Sequence, residues 1–227
     1  MFHDKELLLF DLDGTLIDSV PDLAKALNST LRELGRPVYD EATIRTWIGN
    51  GAAMLVKRGL AGRRVIDREP EEALFRQAME TFLKRYATVL NDATGLYPEV
   101  RETLEKLKEQ GCQMAIVTNK PSQFVAPILK NLAIESHFDL IVGGEDLPRK
   151  KPDPLPLLHS CEVLGCKPEA AVMIGDSSND ILAAGAAGIP VIAVSYGYSA
   201  GRPVGELGAD AVVERFGEIL GILGIED

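Results

Sequence analysis

Two carboxylates one residue apart, Asp11 and Asp13, follow an apolar run, Leu7–Phe10, and are followed by Gly14 and Thr15. Carboxylates held this close repel, so they must share a proton, bind a cation or face water. Alone, the pattern fits a solvated acidic turn at a strand end better than it fits chemistry. Three further polar clusters also follow apolar runs. Thr118-Asn119 comes after Cys112–Val117, Lys151 lies in the basic, proline-rich stretch 148–156 after Phe138–Val142, and Asp176, Ser177 and Asp180 come after Ala171–Ile174. Together they hold what phosphoryl transfer requires: a nucleophile, hard oxygen ligands for a divalent cation, donors for phosphoryl oxygens and a proton shuttle.

The elements that must position these groups are short and apolar. Leu7–Phe10 reads as a strand buried on both faces, and strand alternation would send Asp11 and Asp13 to the same side. From Pro98 onward strands and helices alternate. Strands are expected at 112–117, 138–142, 171–174 and 191–194, with a short one at 210–213 and a helix after it. Helices are expected to start near Val100, to hold Phe124, Val125, Ile128 and Leu129, to end near Leu164, and to span Ile181–Ala187. Pro127 should kink its helix or lie close to its start. This grammar predicts an α/β fold with a doubly wound parallel sheet, which collects its strand ends at one edge.

Pro21 to Leu90 contains no convincing strand. Leu23, Leu27, Leu31 and Leu34 recur at helical spacing. Glu41–Trp47 and Ala52–Leu60 read as short helices on either side of Gly49-Asn50-Gly51, and Pro70 opens a long helix to Leu90. A connection this long between two strands is best read as an inserted all-helical cap. The expected division is 1–16 plus 96–227 for the catalytic core and 17–95 for the cap.

Of 227 residues, 46% are hydrophobic and the net charge is -10, with an isoelectric point near 4.9. This balance argues against nucleic acid and anionic membrane surfaces as partners. No run is long enough to span a bilayer, and the N-terminus lacks the pattern of a signal peptide. Cys112, Cys161 and Cys166 fit no metal or redox spacing, and their odd number speaks against a disulfide framework. The expectation is free thiols and a cytoplasmic location. His3, His137 and His159 fall outside every motif.

The segment Asp11-Leu-Asp-Gly-Thr-Leu-Ile-Asp18-Ser19, with Thr118, Lys151 and Gly175-Asp176 through Asp180, resembles the four motifs of the haloacid dehalogenase superfamily of phosphotransferases. Trp47-Ile-Gly-Asn-Gly-Ala52, Thr118 through Pro127, Lys150-Lys-Pro-Asp-Pro154 and Tyr196-Gly-Tyr198 are similar to bacterial phosphoglycolate phosphatases within it. The resemblance implies that Asp11 attacks phosphorus and that Asp13 protonates the leaving group, then deprotonates water. It implies Mg²⁺ held by Asp11, the Asp13 carbonyl and Asp176. Asp180 would hold a metal-bound water or orient Lys151. Thr118 and the Asn119 backbone N–H would donate to the phosphoryl group, and Lys151 would neutralise charge.

In the expected cap, Gly49, Asn50 and Gly51 are the residues to meet a small carboxylate-bearing substrate, although a plain helix–helix turn fits them equally. Lys57 and Arg58 could pair with that carboxylate but read more readily as solvated helix residues. Alternatives stay open: a phosphatase for another small metabolite such as a sugar phosphate, a phosphomutase, or a non-catalytic binding protein on the same fold. A dehalogenase is disfavoured, because Asp13 and Asp176 would then be superfluous. The partner expected is a small phosphomonoester, and the chain is expected to be a monomer or a homodimer.

Overall fold

The computed structural model describes residues 2, 4–198 and 204–225; His3 lies outside them. The chain begins with β1 (Leu7–Phe10) and a two-residue strand, β2 (Ile17–Asp18). Four helices follow: α1 (Val20–Glu33), α2 (Glu41–Arg45), α3 (Ala52–Ala61) and α4 (Glu72–Val89). A second two-residue strand, β3 (Gly95–Leu96), leads to α5 (Val100–Glu109), β4 (Gln113–Val117), α6 (Ser122–Asn131) and β5 (Leu140–Val142). The remainder is α7 (Leu155–Val163), β6 (Ala171–Gly175), α8 (Ser178–Ala187), β7 (Val191–Val194), β8 (Ala211–Val213) and α9 (Glu218–Leu223).

Six strands form one sheet in the order β5-β4-β1-β6-β7-β8, and every pairing in it is parallel. β1 lies between β4 and β6, where the chain switches from one half of the sheet to the other. In open parallel sheets this is where the crevice for a ligand opens. Alternation along β1 divides its side chains between two cores. Leu8 and Phe10 pack with Val100 and Leu104 of α5, Val125 and Ile128 of α6 and Ile219 of α9. Leu7 and Leu9 pack on the other face with Leu157 of α7 and Ala183 and Ala184 of α8. The unbroken apolar run of β1 follows from having helices on both faces.

Helices α1 to α4 gather around a third cluster that includes Leu23, Leu27, Trp47, Leu55, Phe82 and Tyr86. Phe124 of α6 joins this cluster, so the helical unit also packs onto the sheet-bearing part. The chain enters and leaves the unit through an antiparallel ribbon in which Ile17 pairs with Leu96 and Asp18 with Gly95. This ribbon was not expected; two residues per strand are too few to show a period. The strand expected from Phe138 starts at Leu140, after a short 3-10 turn at Glu135–His137. Pro127 lies inside α6. Pro127 and Gln123 are both exposed, so water can meet the carbonyl that proline leaves without a partner, and the helix continues.

Asp22 ties the helical unit down. It is 1% exposed, and its carboxylate accepts from the Ala93 and Thr94 backbone N–H groups and from the Thr94 hydroxyl at 2.6 Å. Asp22→Ala would leave these buried donors unpaired. It is expected to lower the unfolding free energy by about 3 kcal/mol, measured by urea denaturation.

Candidate active site

The ends of β1, β4 and β6 and the loop after β5 converge. The Asp11 N–H donates to the Ile174 carbonyl at 2.9 Å, and the Thr118 N–H donates to the Val142 carbonyl at 3.0 Å. Lys151, 2% exposed, lies 3.2 Å from Asp11 Oδ1 and 2.6 Å from Asp180 Oδ1. The other Asp180 oxygen accepts from the Ser177 N–H at 3.0 Å and the Ser177 hydroxyl at 2.7 Å. Both oxygens of Asp180 are thus engaged, and of the two roles expected for it the orienting of Lys151 fits this geometry. Gly175 is the residue that makes room, since a Cβ there would sit 2.4 Å from Asp180 Cγ.

β1 stops at Phe10, and the Leu12 carbonyl accepts from the N–H groups of Thr15, Leu16 and Ile17 in a tight turn. Strand alternation therefore does not govern Asp13, and the two acids meet different lysines. Asp13 Oδ1 and Oδ2 lie 2.9 and 3.1 Å from Nζ of Lys120, and the Ser19 hydroxyl also donates to Asp13. Lys120 is 3% exposed and donates in addition to the Tyr86 hydroxyl of α4 at 2.7 Å. Burial alone would lower the Lys120 pKa, but Asp13 and Tyr86 hold it above the usual lysine value. Sequence reasoning gave Lys120 no role. The signal was its place beside Thr118 and Asn119, but a lysine after a strand is ordinarily solvated.

Asp11, Asp176 and Asp180 are all buried, and each places a carboxylate oxygen within 4.8 Å of the others. With Asp13, four carboxylates share this space with two ammonium groups. Burial pushes the Asp11 carboxyl up to about 6, against the pull of Lys151 and with a further push from Asp180. Burial also raises Asp176 well above the usual carboxylate range, helped by Asp180 and Asp11. Carboxylates that burial and their neighbours hold back from ionising, gathered as hard oxygen donors, suit a divalent cation, which would favour their charged forms. Asp176 is aimed by Thr15, whose hydroxyl donates at 3.3 Å, and by the Tyr198 N–H.

The residues expected to hold phosphate and substrate divide. Thr118 and Asn119 line the cavity with Asp11 and Asp13. The Asn119 side chain donates to the Lys151 carbonyl at 2.9 Å and to the Gly49 carbonyl at 3.3 Å, joining the core to the helical unit. Gly49 and Gly51 line the cavity, whereas Asn50 does not. The Asn50 side chain is engaged elsewhere: its Oδ1 accepts from Arg58 at 2.9 Å and its Nδ2 donates to Asn179 at 3.3 Å. Arg58 also donates to the Trp47 and Arg64 carbonyls, and Lys57 pairs with Glu69 at 2.7 Å. Neither cation lines the cavity. Gly143 and Gly144, just after β5, allow close packing against the segment that follows β4. A Cβ on them would lie 2.4 Å from Ser122 Oγ and 2.5 Å from the Asn119 carbonyl oxygen, respectively.

The cavity encloses about 40 Å³, room for a few water molecules. Part of its lining is apolar: Leu23, Ile48, Ala52, Leu55 and Phe82. Gly197 sits behind the acidic cluster, where a Cβ would come within 2.3 Å of Asp176 Cβ and 2.4 Å of the Gly14 carbonyl oxygen. Gly197→Ala is expected to displace Asp176. It should weaken divalent-cation affinity by about 10-fold or more, read as a reduced rise in Tm on adding Mg²⁺.

A family model for haloacid dehalogenase-like hydrolases matches residues 8–194. A protein of Thiobacillus denitrificans named phosphoglycolate phosphatase is 48% identical over 211 residues, 93% of this chain and 92% of its own. One of Colwellia psychrerythraea with the same name is 46% identical over 218 residues, 96% of each chain. The crystal structure of a predicted phosphoglycolate phosphatase from Haemophilus somnus 129pt superposes with a TM-score of 0.91 at 39% identity, covering 98% of this chain and 99% of that one. The fold, the acidic strand ends and these matches give one conclusion: the chain belongs to the haloacid dehalogenase-like hydrolase family.

Proposed function

We propose that the chain is a Mg²⁺-dependent phosphomonoesterase that hydrolyses 2-phosphoglycolate to glycolate and phosphate, with residues 17–95 acting as the cap over its site. The observation that carries this reading is the separation of the two acids onto different lysines. Asp11 beside Lys151 is a carboxylate with its charge partly offset, and its Oδ2 is free of hydrogen bonds among the described residues. That suits a nucleophile, because a bare carboxylate would be repelled by a phosphate dianion. Asp13 stands at the cavity with its side chain 14% exposed, where a proton can be passed to a leaving oxygen and later taken from water.

In this mechanism Asp11 forms a bond to phosphorus as the ester oxygen departs with the proton of Asp13. Asp13, now ionised, removes a proton from the water that cleaves the aspartyl-phosphate, and phosphate leaves. The Thr118 hydroxyl and the Asn119 backbone N–H donate to the equatorial oxygens, and Lys151 offsets charge developing on them. A divalent cation held by Asp11, Asp176 and the Asp13 carbonyl would neutralise phosphoryl charge.

The wall of the cavity supports a small substrate poor in hydroxyl groups. A sugar phosphate would set its hydroxyls against Leu23, Ile48, Leu55 and Phe82 and leave them unpaired. A glycolate moiety presents one methylene and one carboxylate. The first turn of α3 begins at Gly51 and Ala52, both at the cavity, and has no side-chain cap. Its backbone N–H groups and the positive end of its dipole suit that carboxylate. The names of the relatives support the same substrate.

Two measurements test this. Asp11→Asn should keep its fold by circular dichroism and lose hydrolysis by about 10⁴-fold or more; retained turnover would overturn the nucleophile. Across a panel of phosphate esters, kcat/KM for 2-phosphoglycolate should exceed that for glucose 6-phosphate by about 100-fold or more. A preference for the sugar phosphate would overturn the substrate.

A further inference from the structure

We infer that Lys120 and Tyr86 form a positioning pair through which the closed cap sets the acid–base residue Asp13. This rests on the reading of Asp13 as the proton carrier. Lys120 leaves the core at the end of β4, while Tyr86 is carried by α4 of the helical unit. Nζ of Lys120 has three protons, and three oxygens meet it: both carboxylate oxygens of Asp13 at 2.9 and 3.1 Å, and the Tyr86 hydroxyl at 2.7 Å. An ammonium group with an acceptor for each proton has one orientation, and the ionised Asp13 carboxylate is fixed with it; when Asp13 carries its proton, the other oxygen still accepts.

The Tyr86 ring is itself held rigidly. It stacks on Phe82 with centroids 5.8 Å apart and meets Phe124 edge-on at 4.9 Å. Phe82 belongs to α4 and Phe124 to α6, so the ring is clamped between the helical unit and the core. Its hydroxyl stays a neutral phenol, since burial pushes its pKa up to about 12, and it accepts from Lys120. When the helical unit lifts away, Tyr86 leaves with α4. Lys120 then loses one of its three acceptors and gains rotational freedom beside Asp13. The proton carrier is therefore aligned only while the cavity is closed.

The alternative use of a buried lysine at this cavity is to read the substrate's carboxylate. The contacts favour positioning, because Nζ is saturated by Asp13 and Tyr86. Lys151 is likewise committed, to Asp11, Asp180 and the Val117 carbonyl.

The two roles separate by leaving group and by carboxylate. Lys120→Met and Tyr86→Phe are assayed with Mg²⁺ on three small esters: 2-phosphoglycolate, ethyl phosphate and acetyl phosphate. An alkoxide leaving group needs a proton from Asp13, whereas acetate leaves without one. kcat/KM reports the steps through phosphoryl transfer to Asp11. For Lys120→Met it should fall by about 100-fold on 2-phosphoglycolate and on ethyl phosphate, but by about threefold or less on acetyl phosphate. Tyr86→Phe keeps the ring packing, so it guards against misfolding. It should show the same ordering with a loss of about 10-fold on the alkyl esters. Equal losses on all three esters would overturn the inference in favour of a merely structural pair. A loss confined to 2-phosphoglycolate would overturn it in favour of carboxylate recognition. Failure of the underlying reading looks different: Asp13→Asn would then lose no more on the two alkyl esters than on acetyl phosphate.

Discussion

Four carboxylates and two lysines packed at the mouth of one sheet make the constraint on which the rest of this molecule depends. Removing that many charges from water is costly, and the cost is met only when each charge has an assigned partner. Lys151 serves Asp11 and Asp180, Lys120 serves Asp13, and Asp176 leans on the Tyr198 backbone and on Thr15. The remaining excess of negative charge is what makes the place suited to a divalent cation. Much of the local architecture exists to keep these partners at their distances. Gly14, Gly175 and Gly197 all lack a Cβ where one would strike Asp176 or Asp180.

The sheet positions this cluster because its central strand is dry on both faces. Leu7 to Phe10 are each 0% exposed, and helices on either side leave β1 no freedom to shift register. A one-residue slip would exchange the two cores and carry Asp11 away from Lys151. The helical unit is attached differently. Its own cluster is held to the core by Phe124, by the short ribbon, by the Lys120–Tyr86 hydrogen bond and by the contacts of Gly49 with Asn119 and Asn179. Apart from Phe124, the contacts named are hydrogen bonds.

Much of this was legible in the sequence, and the boundary of legibility has physical causes. Apolar runs ending in polar groups are a strong signal, because a buried strand and a turn each constrain composition. Hence β1, β4, β6 and β7 were readable, and so was the convergence of Asp11, Thr118, Lys151 and Asp176. The two-residue strands β2 and β3 carry no period and were not readable. Lys120 was missed because its importance depends on Tyr86, 34 positions earlier in the chain, and no local pattern records that meeting. The Asn50 side chain was not readable for the converse reason. Its neighbours Gly49 and Gly51 do reach the cavity, but the side chain between them is turned toward Arg58 and Asn179 by contacts that spacing alone does not reveal.

The small size of the enclosed cavity has a consequence for how the molecule spends its time. A space of about 40 Å³ is small for a phosphate ester, so on the proposed function the walls must part to admit one. On that function the molecule would work as a batch vessel rather than a flow cell: it would load, seal, react and empty in separate phases. Throughput in such a device is bounded by the slower of its chemistry and its door, and the door belongs to the helices and not to the acids. Substitutions far from phosphorus, along the ribbon or under Phe124, therefore have a route to the turnover rate that passes through no reacting atom.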